Sequence, residues 1–151
     1  MDNNNLLYER IKYEQKKFHE QMRSIIIVLD FDGTVVEHAY PSIGKDLPYV
    51  VETLKKWTTE LNVKIILSTM RSGQLLDDAV EWFKERQIPL YSIQEHPTQH
   101  EWTKSPKCHG DFCIDDRNVG TPLTIDSRGI PCIDWTKLKL IFEPLLTKMK
   151  Q

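Results

Sequence analysis

The chain has 151 residues, of which 40% are hydrophobic and 28% charged, and its formal net charge is −2. This length supports one domain around a single core and is too short for two, so we expect one domain over residues 1–151. The near-neutral charge argues against a protein that binds nucleic acid through bulk electrostatics.

No targeting signal or membrane span is visible in the sequence. The N-terminus is polar and charged, unlike a signal peptide. The longest apolar run, Ile25 to Leu29, is far too short to cross a bilayer. The odd number of cysteines, three, favours reduced thiols over a disulfide framework. We therefore expect a cytoplasmic protein without membrane contact.

The first two predicted elements are a helix and a strand. Apolar residues at helical spacing predict an amphipathic leader helix within residues 1–23, which either covers the sheet or serves in a homo-oligomer. The β-branched run 25–29 then predicts a strand buried on both faces. The catalytic core would cover residues 24–151.

The middle of the chain alternates between helical and strand patterns. A small flap hairpin is expected about Val35 to Gly44, after the strand that ends at Asp30. The patterns then predict a helix over 47–61, a strand over 63–67, a helix over 73–86 capped by Ser72 and a strand over 88–93.

The last third begins with a polar loop. Residues 94–110 contain two prolines and predict a loop with one helical turn. The remaining patterns predict a strand over 112–114, a hairpin with strands at 123–125 and 132–133 around a turn at 127–129, and a final helix from Trp135 that is kinked at Pro144.

Alternating strands and helices predict an α/β fold, a three-layer Rossmann-like parallel sheet with helices on both faces. Ligands of such sheets bind outside the carboxyl ends of the strands. Acidic and hydroxyl side chains follow three of the predicted strands, at 30–34, 68–69 and 115–116. The pattern therefore locates a functional site at that edge.

Asp30 and Asp32 lie where the first strand gives way to a turn at Gly33. A carboxylate can attack phosphorus when a hard cation such as Mg²⁺ neutralises the anionic partners. A second carboxylate can protonate the leaving oxygen and deprotonate the hydrolytic water. The structural alternative is an ordinary acidic junction between strand and turn.

Three further signals accompany this pair. Asp115 and Asp116 could complete a metal site, or they could cap a turn. Thr69 could donate its hydroxyl to a phosphoryl oxygen, and Lys107 could balance negative charge, although both also suit ordinary structural positions.

The order of these motifs resembles that of the haloacid dehalogenase superfamily of phosphatases, in a small uncapped form. The resemblance spans residues 25–117 and rests on 30–34 (Asp-Phe-Asp-Gly-Thr), 66–71 (Ile-Leu-Ser-Thr-Met-Arg), Lys107 and 114–117 (Ile-Asp-Asp-Arg). Lys107 precedes Asp115 by eight positions, a spacing common in short members of the family.

The resemblance implies catalysis by Asp30 as nucleophile and Asp32 as general acid and base, with Thr69 holding the phosphoryl group and Lys107 neutralising charge. It implies a Mg²⁺ cofactor held by Asp30, the backbone carbonyl of Asp32, and Asp115 or Asp116. Which aspartate of the last pair touches the metal stays open. Ser68 could replace Thr69, and Lys104 could replace Lys107.

The resemblance also implies the substrate side of the site. Neither gap between the motifs leaves room for a cap domain, so we expect an open site for a small phosphorylated metabolite or nucleotide. Gly33, Thr34 and Arg71 are the candidate substrate-binding residues, with a structural ion pair as the alternative for Arg71. Phosphorylated nucleic-acid ends and phosphotransfer to another acceptor remain alternatives.

Two other classes of function fit the sequence less well. A signalling receiver domain has its acidic pair before the acceptor aspartate, whereas here the pair comes last. A catalytically inactive binding module would have no need for all four motifs. A zinc site at His96, His100 and Cys108 is disfavoured because the close cysteine pair is missing.

Overall fold

The computed structural model describes residues 6–14 and 23–149, and their centre is a four-stranded parallel sheet. The order across the sheet is β3-β2-β1-β4. The strands are β1 (Ile25–Leu29), β2 (Val63–Leu67), β3 (Ser92–Ile93) and β4 (Phe112–Ile114). The fold is the Rossmann-like α/β arrangement that the sequence predicts, with helices flanking the sheet.

Within residues 23–149, three α-helices and a hairpin accompany the sheet. The helices are α1 (Val50–Glu60), α2 (Gly73–Glu85) and α3 (Trp135–Lys148), with a short 3₁₀-helix at Gln99–Glu101. The separate antiparallel hairpin consists of β5 (Leu123–Ile125) and β6 (Pro131–Ile133). Within the described residues, neither the β1–β2 nor the β2–β3 connection contains a cap domain, as expected.

The register of β1 determines where the carboxyl ends of the strands lie, and this end of the sheet is called the functional edge. Leu29, the last residue of β1, lies opposite Leu67 of β2 and Ile114 of β4. The backbone N–H of Asp30 donates to the Ile114 carbonyl at 3.0 Å, so the two chains stay paired one residue further. The three strands therefore end at the same level, and the residues that follow them lie side by side at the functional edge.

The core lies on the sheet face of Ile27 and Leu29, because the helices contribute a cluster of aromatic rings there. Trp57 of α1 packs against Trp135 and Phe142 of α3, with ring centroids 5.7 and 5.1 Å apart. On α2, the buried aromatic residues are Trp82 and Phe83. The opposite face is covered in part by the 94–110 connection, where Gly110 lies against Val28.

Several element boundaries differ from the sequence-based prediction. The predicted strand 88–93 shrinks to Ser92–Ile93, because the N–H of Ile88 still closes the end of α2 on Phe83 and Pro89 cannot donate. Ser72 precedes α2 as predicted, but its side chain makes no capping hydrogen bond. Pro144 lies inside α3.

The N-terminal prediction falls partly outside the described residues. Residues 6–14 are helical, in agreement with a leader helix, whereas 1–5 and 15–22 lie outside the described residues. In the part of the chain that is described, no helix combines the length and the apolar character needed to cross a membrane.

The predicted flap hairpin is present between β1 and α1. The N–H of Leu47 donates to the Val35 carbonyl at 3.0 Å, and the N–H of Glu37 donates to the Lys45 carbonyl at 2.8 Å. These bonds close residues 37–45 into a loop that starts eight residues after the end of β1.

Replacing Trp57 with Ala should destabilise the fold by about 3–5 kcal/mol, because the ring is fully buried among aromatic neighbours and its Nε1 donates to Glu143. Urea unfolding measures the change. The control is Leu140→Ala on α3, where the side chain is 69% exposed and we expect a change within about 0.5 kcal/mol. Equal effects of the two substitutions would contradict the described packing.

Candidate active site

Three carboxylates meet at the carboxyl edge of the sheet. Asp30 follows β1, and Asp115 and Asp116 follow β4. One oxygen from each of them lies within 4.8 Å of the other two. Residues 85 positions apart in the chain thus come together because β1 and β4 are parallel neighbours that end together.

Thr34 links the carboxylate of Asp30 to the backbone of Asp116. Its hydroxyl donates to Asp30 Oδ2 at 2.8 Å and accepts from the backbone N–H of Asp116 at 3.1 Å. Trp135 Nε1 donates to the Thr34 carbonyl at 2.7 Å, and Thr34 is fully buried. The structure therefore places this predicted substrate-binding residue in a positioning role inside the protein.

Burial raises the pKa of Asp30 from 3.8 to about 7. The hydroxyl of Thr34 and the backbone N–H of Phe31 lower this pKa, while the nearby charges of Asp115 and Asp116 raise it further. Desolvation and like-charge repulsion thus outweigh the two hydrogen bonds, and a cation at this position would relieve both penalties.

Asp32 is directed away from the cluster and into an ion pair with Arg71. The guanidinium donates from Nε to Asp32 Oδ2 at 2.8 Å and from a terminal nitrogen to Oδ1 at 2.7 Å. This bidentate geometry occupies both carboxylate oxygens. Each oxygen of Asp32 thus accepts one hydrogen bond from Arg71, and the Asp32 side chain is 17% exposed.

Arg71 also fastens the flap. Its remaining hydrogen bonds go to the carbonyls of Pro41 and Ser42 at 3.0 and 2.8 Å, and Tyr40 lies 5.3 Å from the guanidinium. Only 1% of Arg71 is exposed, and its pKa is raised by the hydrogen bonds to Asp32. Of the two alternatives for Arg71, the structure shows the ion pair.

Thr69 lies at the same edge after β2, half-buried, with its hydroxyl accepting from the N–H of Arg71 at 3.2 Å. Gln94 holds its backbone from both sides, accepting from the Thr69 N–H at 2.9 Å and donating to the Thr69 carbonyl at 2.7 Å. Sequence analysis missed Gln94. Ser68 is also half-buried, with its N–H bound to the Leu29 carbonyl at 2.8 Å.

Lys107 is not brought to the carboxylates. The side chain is exposed, and within residues 6–14 and 23–149 its ammonium makes no ion pair. Its carbonyl accepts from Gln99 at 2.6 Å, which fixes the backbone in the 94–110 connection. Lys104, the alternative, is equally exposed and lines a separate cavity in that connection.

Gly33 has a backbone requirement at the turn after β1. Its φ of 77° is in the left-handed region, and an added Cβ would overlap the ring of His38 and lie 2.6 Å from Asp116 Oδ2. The N–H of Gly33 donates to Val36 and its carbonyl accepts from Ile133. Gly33 therefore shapes the turn, and its own polar groups are already bonded within the protein.

The flap contributes a further contact that no sequence motif predicts. His38 Nε2 lies 2.9 Å from Asp116 Oδ2. The two residues are 78 positions apart, and nothing in either local motif predicts that they meet. His38 lies in the segment for which the sequence predicts a flap, and no role was expected for it.

The donor chemistry of the cluster suits a hard divalent cation. Its three side chains offer oxygen ligands only, the set that Mg²⁺ prefers over nitrogen or sulfur. In the described part of the chain, His96, His100 and Cys108 do not join a group of three metal-type ligands, so the zinc alternative has no support there.

Asp30→Asn and Asp32→Asn should change the stability of the metal-free protein in opposite directions. Between pH 4 and 7 folded Asp30 holds a proton that the unfolded chain has lost, so wild-type stability falls as the pH rises. Asn at position 30 removes that penalty and should stabilise by on the order of 2 kcal/mol at pH 8, with little gain at pH 4.

Asn at position 32 instead leaves the buried Arg71 without its carboxylate, which should cost about 3–5 kcal/mol. Urea unfolding at pH 4 and pH 8 without divalent cations measures both effects. Destabilisation by Asp30→Asn at pH 8 would contradict the repulsion described for the cluster.

No protein-family model matches the sequence, and no curated protein does. Among solved structures, the chain is similar to a conserved protein from Bacteroides thetaiotaomicron, with 41% identity and a TM-score of 0.64. The match covers 81% of this chain and 93% of that protein's chain. An identity this high over nearly the whole neighbour goes beyond a shared fold. The chain belongs to the same family as this conserved Bacteroides protein.

Proposed function

We propose that the protein is a magnesium-dependent phosphohydrolase of the haloacid dehalogenase type, acting through an aspartyl-phosphate on a small phosphorylated metabolite or nucleotide. The observation that supports this most directly is the meeting of Asp30, Asp115 and Asp116 within 4.8 Å at the carboxyl edge of the sheet. The order of the sequence motifs, which resembles that of the haloacid dehalogenase superfamily, is the reason for proposing phosphate-ester hydrolysis.

Asp30 is the proposed nucleophile because its carboxylate is held in one orientation. Thr34 and the N–H of Phe31 bind it, so it can present an oxygen to phosphorus without first being ordered. Attack forms the bond between the carboxylate oxygen and phosphorus while the ester P–O bond breaks, and the leaving oxygen departs with the electron pair. Water then attacks phosphorus, releasing phosphate and restoring Asp30.

Asp30, Asp115 and Asp116 would hold the Mg²⁺, with the carbonyl of Asp32 as the further ligand that the resemblance implies. Mg²⁺ held there would supply positive charge that offsets the charge of the carboxylates and of the substrate phosphate. Asp30, whose pKa is raised to about 7, would then stay ionised and available as the nucleophile at neutral pH.

Asp32 is the proposed acid and base, and its ion pair with Arg71 links this role to the flap. Both of its oxygens are bound to Arg71, which is bound in turn to the flap carbonyls of Pro41 and Ser42. Freeing one oxygen therefore means loosening contacts that also hold the flap. Release of Asp32 for proton transfer would then be coupled to flap movement when substrate binds.

Thr69 and Lys107 have the two remaining proposed roles, in binding the phosphoryl group and in neutralising charge. Thr69 already lies at the edge, with its hydroxyl accepting one hydrogen bond and still able to donate to a phosphoryl oxygen. Lys107 is exposed, so its proposed charge-neutralising role requires the 94–110 connection to close toward the site.

The absence of a cap domain among the described residues supports an open site. The flap and the 94–110 connection are then the parts of the protein that can contact a substrate beyond its phosphate. The formal net charge of −2 favours small phosphorylated molecules over polyanionic nucleic acid as substrates.

The wild-type protein should release inorganic phosphate from a generic aryl phosphate, and from one or more members of a metabolite and nucleotide panel, only when Mg²⁺ is present. Asp30→Asn should lower the rate at least about 10³-fold, because it removes the attacking carboxylate. Asp77→Asn, which changes an exposed carboxylate on α2, is the matched control and should leave the rate unchanged. Metal-independent release, or equal rates for the two variants, would contradict the proposal.

Asp32→Asn should slow turnover about 10²–10⁴-fold, since proton transfer to the leaving oxygen or from the water is lost. Acid-quenched mixtures with a ³²P-labelled substrate, analysed by mass and radioactivity, would show whether phosphoenzyme forms slowly or decays slowly. Kinetics equal to those of the wild type would remove Asp32 from the acid and base role.

A further inference from the structure

His38 makes a side-chain hydrogen bond from the flap to one of the three clustered carboxylates, and no motif assigns it a role. We propose that His38 is a positioning residue for the metal site: it orients Asp116 so that the cluster binds Mg²⁺ tightly. This inference rests on the proposed function, because it takes the carboxylate cluster to be the Mg²⁺ site.

The contact is well defined. Nε2 of His38 donates to Oδ2 of Asp116 at 2.9 Å, since a carboxylate oxygen can only accept. The Asp116 side chain is 10% exposed and that of His38 is 27% exposed, so solvent competes little for the bond. The bond holds one oxygen of Asp116 and fixes the rotation of the carboxylate.

The backbone of Asp116 is fixed as well. Its N–H donates to the Thr34 hydroxyl, which also binds Asp30. Asp116 is therefore held at two points: Thr34 binds its backbone N–H, and His38 binds its carboxylate. With both constraints in place, its second oxygen has a defined position relative to Asp30.

Gly33 makes room for the imidazole. The ring of His38 passes so close to Gly33 that an added Cβ there would overlap Nε2. Any residue other than glycine at this position would displace the ring and break the bond to Asp116. Position 33 therefore requires glycine for two reasons: the left-handed backbone of the turn and the space that the His38 ring occupies.

The hairpin of β5 and β6 holds the flap segment that carries His38. Arg128 donates to the His38 carbonyl at 2.7 Å. Ser127 donates from its N–H and its hydroxyl to the two oxygens of the buried Glu37 carboxylate, at 3.1 and 2.9 Å. Three hydrogen bonds therefore fix residues 37 and 38, and the turn at 127–128 becomes part of the support for the metal site.

Positioning of this kind has a measurable consequence. Hydrogen bonds that orient ligating carboxylates change metal affinity by about 10–100-fold when they are removed. An ordinary exposed His–Asp pair would change nothing in metal binding. The two interpretations of the contact therefore differ in an observable that needs no substrate.

The test is calorimetric titration of Mg²⁺ into the full-length, substrate-free protein. His38→Ala should weaken binding by about 10–100-fold, whereas His38→Gln, whose amide can donate from nearly the same place, should stay within about fivefold of the wild type. Arg128→Gln should weaken binding by a smaller factor, because it loosens only the backbone of residue 38. His109→Gln, an exposed histidine on the 94–110 connection, is the matched control and should leave the affinity unchanged.

Circular dichroism and the midpoint of urea unfolding check that each variant is folded. An affinity of His38→Ala within about twofold of the wild type would overturn the proposal, as would equal weakening in His38→Gln, because the hydrogen-bond donor would then not matter. A wild-type protein that binds no Mg²⁺ would overturn it as well. Phosphate release is measured separately, so Mg²⁺ binding that depends on His38 in a protein without phosphatase activity would contradict the proposed function and leave the positioning role standing.

Discussion

The parallel pairing of β1 with β2 and β4 determines where the three clustered carboxylates and Thr69 lie. Leu29, Leu67 and Ile114 end their strands side by side, and the next residues of each strand therefore enter the same edge. Antiparallel pairing of β1 with β4 would place Asp30 and Asp115 at opposite ends of the sheet. The register alone brings three carboxylates within reach of one cation.

Concentrating three carboxylates has an electrostatic cost that the surrounding structure only partly offsets. Thr34 and His38 donate to the cluster, yet burial and the neighbouring charges still raise the pKa of Asp30 to about 7. The fourth acid of the region, Asp32, is separated from the others by its ion pair with Arg71. A site arranged in this way is suited to gain a cation, because the cation removes the repulsion that folding alone leaves in place.

The flap makes contact with both the Asp32–Arg71 ion pair and the carboxylate cluster. Arg71 holds its tip through Pro41 and Ser42, and the β5–β6 turn holds its base through Glu37 and His38. The first set of contacts also occupies Asp32, and the second also orients Asp116. Movement of the flap tip would therefore affect proton transfer by Asp32. Rigidity of the flap base would instead affect metal binding through Asp116.

Local signals were enough to predict the strands β1, β2 and β4, the parallel α/β class and the positions of the polar motifs, because short apolar segments and the acidic or hydroxyl residues that follow them can be recognised without knowing the fold. It could not determine that Asp32 pairs with Arg71, that His38 reaches Asp116, or that Lys107 stays exposed. Those outcomes depend on how the flap and the 94–110 connection pack, and no local periodicity encodes contacts between residues 39 or 78 positions apart. These contacts follow from the folded arrangement, because the space and the charges at the assembled sheet edge select the partner of each side chain.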